Sequence, residues 1–299
     1  MKLRNSRYTP LFAVLLAASA FSASPGHHDR DDDDWDAAAK ESETIQKTFA
    51  LAGTAEKSLV VDNIFGSIEV VGSPSEQIQL VANKTIRGRS QADVERAKKE
   101  VTLEMTQEGN RVRLFVNGPF RCHNSGPNCC NGDGRNYEVS YDFKLQVPQR
   151  INLDLKTVNN GTVRVQRVRG NYDVDNVNGE ISMEEIGGSG HAHTVNGGVR
   201  ITFVENPTQN SDFGTINGDV DLYFAPKLSA DFRFKTMQGE VYSDFPMTEL
   251  PQEPGKSERR NGKFVFSADR FSGGRVGTGG PQIKMENLNG DLRVLARTN

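Results

Sequence analysis

The fold of this chain is decided by a seven-residue stretch, Val177-Asn178-Gly179-Glu180-Ile181-Ser182-Met183. Its pattern of apolar, Asn, Gly, polar, apolar, polar, apolar returns at 195–201, 216–222 and 288–294, with a shorter copy at 237–242. Alternation of apolar and polar residues after an Asn-Gly pair predicts a short strand with one buried face. A repeat of this length is typical of a chain whose successive turns stack on one another.

Glycine marks the period of the repeat. The turn glycines are Gly161, Gly170, Gly179, Gly188, Gly197, Gly218, Gly239 and Gly290. The first five stand nine residues apart, and Gly218 and Gly239 each follow the preceding glycine of the list by 21, so two nine-residue halves make one 18-residue unit that later lengthens. The sequence therefore predicts an all-β protein, a single-chain β-helix-like solenoid of 18–21-residue coils, with an N-terminal β-rich cap that contains one α-helix.

Stacking of equivalent positions predicts columns of like residues about 4.8 Å apart. One predicted inward column contains Val163, Ile181, Val199, Val220 and Val241. A polar ladder is predicted beside the turns, where stacked amides can hydrogen-bond from strand to strand. Its members are Asn160, Asn178, Asn196, Asn217 and Gln238.

The remainder of the chain divides into segments with different composition. Residues 1–20 have the basic start, short apolar run and small-residue end of a signal peptide, with cleavage as late as residue 24 as an alternative. Residues 21–44 are predicted to be a disordered acidic leader. Residues 45–150 are predicted to form the β-rich cap, with a helix over 90–101 that Ser90 and Asp93 cap. The repeats occupy 151–299, with a loop insertion at 246–262.

Composition and charge limit the classes of partner. The formal charge is -3, which does not favour nucleic acid. A leader that is cleaved, and no later apolar run long enough to span a bilayer, predict a mature chain without a transmembrane segment. We therefore expect an exported protein of the periplasm, the cell surface or the extracellular space.

Two histidines are the strongest candidate metal ligands. His191 and His193 lie two residues apart, so both side chains point to one face of a strand. In the predicted stacking, Asp173 and Asp212 lie on either side of His191, and this set of ligand types suits zinc or nickel. Ordinary cross-strand charge pairs on a solvated face are the alternative. A calcium roll is disfavoured, because Ala192 stands where the Gly-Gly-x-Gly-x-Asp motif needs Asp.

Three cysteines, Cys122, Cys129 and Cys130, lie in one Gly/Asn-rich segment beside His123. In an exported protein this indicates a disulfide from Cys122 to Cys129 or Cys130, which leaves one thiol over. A zinc site of three thiolates and one imidazole is an alternative, as is an intermolecular or free thiol.

Carboxylates supply the only candidate catalytic group. Asp219 and Asp221 share an outward strand face, and Glu180 and Glu240 fall in the same predicted column as Asp219. Hydrolases and lyases on β-helices use such clusters, but solvated acidic positions beside turns have the same appearance. The chain has no nucleophile elbow, phosphate loop or His-Glu-x-x-His helix, so no catalytic residue and no cofactor are predicted.

The Asn-Gly-x-apolar-x-apolar repeat after a signal peptide resembles the bacterial putative-adhesin families of secreted β-strand-repeat proteins, which are largely domains of unknown function. The resemblance rests on residues 177–183, 195–201, 216–222 and 288–294, with a degenerate copy at 64–70 and the helix that starts at Ser90. It covers roughly residues 45–297 and implies a β-solenoid in the cell envelope without established catalytic residues.

The expected function is a non-enzymatic binding or scaffolding role in the cell envelope, with a glycan or an envelope protein as partner. The long faces of a solenoid suit extended partners. A polysaccharide lyase or hydrolase on a β-helix is the main alternative, and a regulatory module of envelope stress is another.

Overall fold

The structure is a computed structural model, and it describes residues 38–121, 136–251, 256–260, 263–267 and 271–297. These residues belong to one compact unit of the chain. The prediction of an all-β protein with one helix is confirmed. Two large sheets of mixed strand direction account for most of the unit, and neither closes on itself.

Ten strands form the first sheet. In spatial order they are β1 (Ala39–Ala50), β4 (Gln77–Gly88), β7 (Tyr137–Pro148), β3 (Ile68–Ser73), β9 (Val163–Gln166), β11 (Ile181–Ile186), β13 (Val199–Phe203), β15 (Val220–Phe224), β23 (Leu292–Ala296) and β17 (Val241–Ser243). From β7 to β17 all neighbours are parallel, whereas β1, β4 and β7 pair antiparallel.

Eleven strands form the second sheet. In spatial order they are β18 (Thr248–Leu250), β21 (Ser272–Val276), β16 (Ala230–Lys235), β22 (Gln282–Glu286), β14 (Ser211–Gly214), β12 (Gly190–His193), β10 (Tyr172–Asp175), β8 (Asn152–Lys156), β2 (Ser58–Asp62), β6 (Arg111–Asn117) and β5 (Thr102–Glu108). A separate hairpin joins β19 (Lys256–Arg260) and β20 (Lys263–Ser267).

The core lies where the inward faces of the two sheets meet. Alternate residues along the strands are buried, which is the period that one buried face requires. Phe203 of the first sheet and Phe213 of the second pack edge to face with ring centroids 6.1 Å apart. Phe224 and Phe232 make the same kind of contact between the sheets at 5.7 Å. Aromatic pairs of this geometry add to the burial of apolar area.

The parallel register follows the repeat, with one correction. Val163 pairs with Ile181, Ile181 with Val199, and Val199 with Val220. The next neighbour of Val220 is Leu292, and Val241 lies beyond it. The predicted contact of Val220 with Val241 is therefore wrong. The copies at 237–242 and 288–294 carry the same pattern, so the period alone cannot decide which of them pairs with β15.

The N-terminal strands belong to the same two sheets as the repeats. β2 pairs in parallel with β8, and β3 pairs in parallel with β9, so hydrogen bonds cross the predicted boundary at residue 150. The helix α1 (Gln91–Glu100) follows Ser90, whose hydroxyl accepts the backbone N–H of Asp93. Val94 and Ala97 bury the inner face of α1.

Two predicted irregular segments contain strands. β1 begins at Ala39, so the predicted disordered leader over 21–44 is wrong at its C-terminal end, because β1 pairs with β4 along twelve residues. The predicted loop at 246–262 contains β18 and β19. Both stretches are too polar for an alternation of apolar residues to predict a strand. Backbone hydrogen bonds to a neighbouring strand stabilise them instead. Residues 1–37, with the predicted signal peptide, lie outside the described residues.

Candidate functional site

The two candidate histidines lie at the centre of the second sheet. Ala192 points into the core, so His191 and His193 both point outward from β12. His191 stands in register between Asp173 of β10 and Asp212 of β14. We call the outward titratable side chains of β10, β12, β14 and β22 the histidine face; they are Asp173, Asp175, His191, His193, Asp212, Lys284 and Glu286.

Asp212 links the histidines to the next strand. Its Oδ1 lies 3.3 Å from His193 Nε2, and its Oδ2 accepts a hydrogen bond from Lys284 Nζ at 3.2 Å. Single ligand atoms of His191, His193 and Asp212 all lie within 4.8 Å of one another. Asp173 shares the column of His191 but is not part of this cluster.

The interaction between His193 and Asp212 shifts the pKa of both side chains. The carboxylate of Asp212 raises the pKa of His193, against the lowering effect of burial. Burial acts to raise the pKa of Asp212, but His193 and Lys284 outweigh it and hold that pKa below its usual value. Each partner therefore favours the charged form of the other.

A small open cavity adjoins the histidine face. Its volume is about 290 Å³ and its wall includes Asp173, His191, Asn171 and Gln209. His191 is exposed, whereas His193 and Asp212 are half-buried. Of the three clustered residues, His191 is the one that lines this cavity.

A ladder of asparagine amides runs along the turns that precede the strands of the first sheet. Asn196 donates to Asn178, Asn217 donates to Asn196, and each donor nitrogen lies 2.8 Å from its acceptor oxygen. Two predicted members are replaced. Asn178 donates to Asn159 rather than Asn160, and the neighbour of Asn217 is Asn289, with Gln238 beyond it. The turn ladder is Asn159, Asn178, Asn196, Asn217 and Asn289.

The sequence analysis did not predict a second column of polar side chains, which is buried below the turn ladder. Thr194 and Thr215 donate their hydroxyls to the carbonyls of Gly179 and Gly197 at 2.9 and 2.8 Å. The signal is an Asn or Thr three residues before the glycine of each regular copy: Asn63, Asn176, Thr194, Thr215, Thr236 and Asn287. In the irregular copy, Thr157 stands four residues before Gly161, and the extra residue is Asn160, whose φ is 55°. That insertion explains why Asn160 leaves the ladder.

The turn glycines are required by close packing of neighbouring strands. A Cβ on Gly197 would overlap the carbonyl oxygen of Gly179, and a Cβ on Gly218 would overlap that of Gly197. The same overlap with the neighbouring turn arises at Gly161, Gly170, Gly179, Gly188, Gly239 and Gly290. These residues are therefore structural.

The candidate catalytic carboxylates are held by arginine. Arg293 Nη1 lies 2.7 Å from Asp219 Oδ2 and 3.0 Å from Asp221 Oδ1. The backbone N–H of Asp291 and then Arg293 lower the pKa of Asp219. Asp221 is buried and also bonds Arg200. The predicted common column is interrupted, because Gly198 separates Glu180 from Asp219 and Asp291 separates Asp219 from Glu240.

An exposed apolar patch lies at one end of the first sheet. Ile216 is 43%, Leu288 is 39% and Met237 is 73% exposed. Backbone hydrogen bonds join Asn289 to Ile216 and Gln238 to Leu288, so the three residues are neighbours on successive turns. Exposed Val241 and Tyr242 follow on β17. Successive residues of a strand point to opposite faces, so we call only Ile216, Leu288 and Met237 the apolar patch.

The remaining candidate residues from the sequence belong to none of the sites described above. Cys122, Cys129 and Cys130 lie outside the described residues, so their pairing stays a prediction. Ala192, at the position of the missing calcium ligand, is fully buried. Within the described ranges, no helix is long and apolar enough to cross a membrane.

No family model and no curated protein matches the chain. Among solved structures, it is similar to a putative cell adhesion protein from Clostridium sporogenes, with a TM-score of 0.41 and 8% identity over 86% of this chain and 100% of that one. It is also similar to a putative lipid binding protein from Parabacteroides distasonis, with a TM-score of 0.26 and 10% identity over 84% and 96%. A putative adhesin from Bacteroides fragilis has a TM-score of 0.24 and 10% identity over 85% and 97%. At this similarity, function has to be argued from the chain's own residues.

Proposed function

We propose that this chain is an exported, non-enzymatic binding or scaffolding protein of the cell envelope, built on a β-solenoid. The observation that carries the proposal is the apolar patch. Soluble proteins rarely leave large apolar side chains contiguous on the surface, and such patches mark interaction sites. Three of the five exposed large hydrophobic residues of the described chain belong to this patch.

The chemistry of the patch favours a protein partner over a glycan. All three of its side chains are aliphatic or Met: Ile216, Leu288 and Met237. Met is flexible and enriched at interface cores, where it adapts to an apolar surface. β17 also ends the first sheet, with β23 as its partner on one side among the described strands. An edge strand offers backbone donors and acceptors to a partner strand.

The parallel registers support the solenoid part of the proposal. Neighbouring strands in the first sheet pair at separations of 18, 18 and 21 residues from Val163 to Val220. Between them the chain visits the second sheet, at β10, β12 and β14. The signal-peptide features of residues 1–20 support export.

The state of the carboxylates supports a non-enzymatic role. A glycosidase of the usual kind needs one carboxyl group that stays protonated near neutral pH. Asp219 has a lowered pKa instead, and Arg293 neutralises both Asp219 and Asp221. A polysaccharide lyase or hydrolase, and a regulatory module of envelope stress, are the alternatives.

Site-specific photo-crosslinking in the producing cells tests the proposal. A photoreactive amino acid at Met237 should give a discrete adduct with an envelope protein, identified by mass spectrometry. The matched control places the same probe at Arg164, which is exposed on the outward face of the same sheet away from the patch. Met237→Glu combined with Leu288→Glu should abolish the adduct formed by a probe at Ile216, because charge does not enter an apolar interface.

Three results would contradict the proposal. One is equal labelling from Met237 and Arg164, and another is labelling of glycan alone. The third is turnover of any substrate in a panel of envelope polysaccharides by the purified chain, which would establish the enzyme alternative.

A further inference from the structure

We propose that His191, His193 and Asp212 form a zinc site on the histidine face, with a fourth coordination position open to solvent. This inference is independent of the apolar patch and of the binding role proposed for it. Two imidazoles and one carboxylate are the protein ligands of many zinc centres that retain an open position.

The strands bring the three ligands together. His191 and His193 share the outward face of β12, and Asp212 lies on the adjacent parallel strand β14. One ligand atom from each residue lies within 4.8 Å of the others, and zinc coordination would draw the exposed His191 ring closer to the other two. Regular strands hold ligands more firmly than a loop does.

The contact of His193 with Asp212 already has the spacing of two zinc ligands. With bonds of about 2.0–2.1 Å, two ligands of a tetrahedral zinc ion lie about 3.3 Å apart. His193 Nε2 and Asp212 Oδ1 are 3.3 Å apart. Oδ1 is buried and its contact is the one with His193 Nε2, while Lys284 occupies Oδ2. The oxygen that faces the histidines is therefore the one placed to share a cation with His193.

Gly214 makes room for the His193 ring. It is in register with His193 on β14, and a Cβ there would lie 3.0 Å from His193 Nδ1. In most strands an outward side chain would fill this position. Its absence lets the imidazole lie across β14 towards Asp212, where its Nε2 reaches the carboxylate.

The surrounding charge is compatible with a divalent cation. Lys284 is the cation nearest to Asp212, and it is also paired with Glu286 at 3.0 Å. Asp173 and Asp175 flank the histidines on β10. The cavity of about 290 Å³ reaches His191, so water can occupy the fourth position from that side. Imidazole with carboxylate favours zinc over calcium, which prefers oxygen ligands alone.

Zinc titration of the full-length, tag-free chain tests the site. After treatment with a chelator, isothermal titration with zinc chloride should show at least one high-affinity equivalent. His191→Ala combined with His193→Ala should lose one equivalent. Asp212→Asn should weaken that equivalent by about tenfold or more, since even outer-shell substitutions cost about 10- to 100-fold in affinity.

Two controls separate this site from the cysteine segment. His123→Ala should leave the equivalent unchanged, and cobalt(II) bound at the site should give a tetrahedral spectrum without a thiolate charge-transfer band. The cobalt spectrum stays decisive if the double variant folds poorly. The proposal is overturned if the wild type binds no zinc, if the double variant binds as much zinc as tightly as the wild type, or if the only cobalt spectrum is that of a thiolate site.

Discussion

The turn ladder and the histidine face are both columns of polar side chains on neighbouring parallel strands, but they differ in regularity. In the turn ladder each step repeats one residue type, and each amide donates to the next at a distance of about 2.8 Å. On the histidine face the residue type changes from strand to strand, and ion pairs join only some of the groups, His193 with Asp212 and Lys284 with Asp212 and Glu286. Repetition along a stack therefore marks structure, and departure from it marks a site with its own chemistry.

The largest expected effect comes from the glycines beneath the turn ladder. Gly197→Ala places a methyl group against the carbonyl oxygen of Gly179 at a φ of 151°. We expect a loss of about 3 kcal/mol or more in the free energy of unfolding, the range of severe packing faults. Gly198→Ala is the matched control, because its Cβ would make only an ordinary contact of 3.4 Å with Asp219. Urea unfolding measures both, and equal losses would refute the packing argument.

An intermediate effect is expected from the buried threonines. Thr215→Val keeps the branched shape but removes the donor to the Gly197 carbonyl, which leaves a half-buried acceptor without this partner. The expected loss is about 1–3 kcal/mol. The control Thr202→Val is half-buried on the outward face of β13 and should change stability by less than about 0.5 kcal/mol. If thermal unfolding finds both variants unchanged, the buried column has no structural role.

The smallest effect concerns the pH dependence of the zinc-free histidine face. The pKa of His193 is raised, so its contribution to stability is full below its unfolded value of about 6.5 and is lost as the pH rises through the folded pKa. The pKa of Asp212 is lowered, so its contribution is present above about 3.9 and is lost as the pH falls through the folded pKa. The pair of His193 and Asp212 therefore stabilises the fold fully between about pH 3.9 and 6.5. Because both side chains are partly exposed, this contribution to the free energy of unfolding stays below about 1 kcal/mol.

NMR titration of the His193 ring measures that coupling directly. Asp212→Asn should lower the pKa of His193, because it removes the carboxylate that favours the imidazolium. Glu69→Gln, on the exposed face of the other sheet, should leave it unchanged. An unaltered His193 pKa in Asp212→Asn would mean that the two side chains do not interact in solution.

Local patterns predicted the repeat strands and the register of the first copies, because apolar alternation and the Asn-Gly turn act over a few residues. The placement of β23 between β15 and β17 depends on pairing across 72 residues, between Val220 and Leu292. The polar sequence of β1 hid that strand, since its partner β4 provides the backbone pairing.

The candidate site was predictable only in part. The position of His191 between Asp173 and Asp212 follows from counting 18 and 21 residues along the repeat. The diagonal contact of His193 with Asp212 and the role of Gly214 do not follow from that count, because they depend on the orientation of the His193 ring. The apolar patch needed the structure as well, since residues with the same pattern at 177 and 195 are half-buried.

Anomalous scattering most directly tests the claim that the histidine face binds zinc and the turn ladder does not. Crystals of the full chain grown with zinc chloride, measured on either side of the zinc absorption edge, should show a difference peak between His193 Nε2 and Asp212 Oδ1, within bonding distance of His191. The turn ladder, with amides alone, should show none. A map with no peak at the histidine face while zinc occupies other positions would contradict the account.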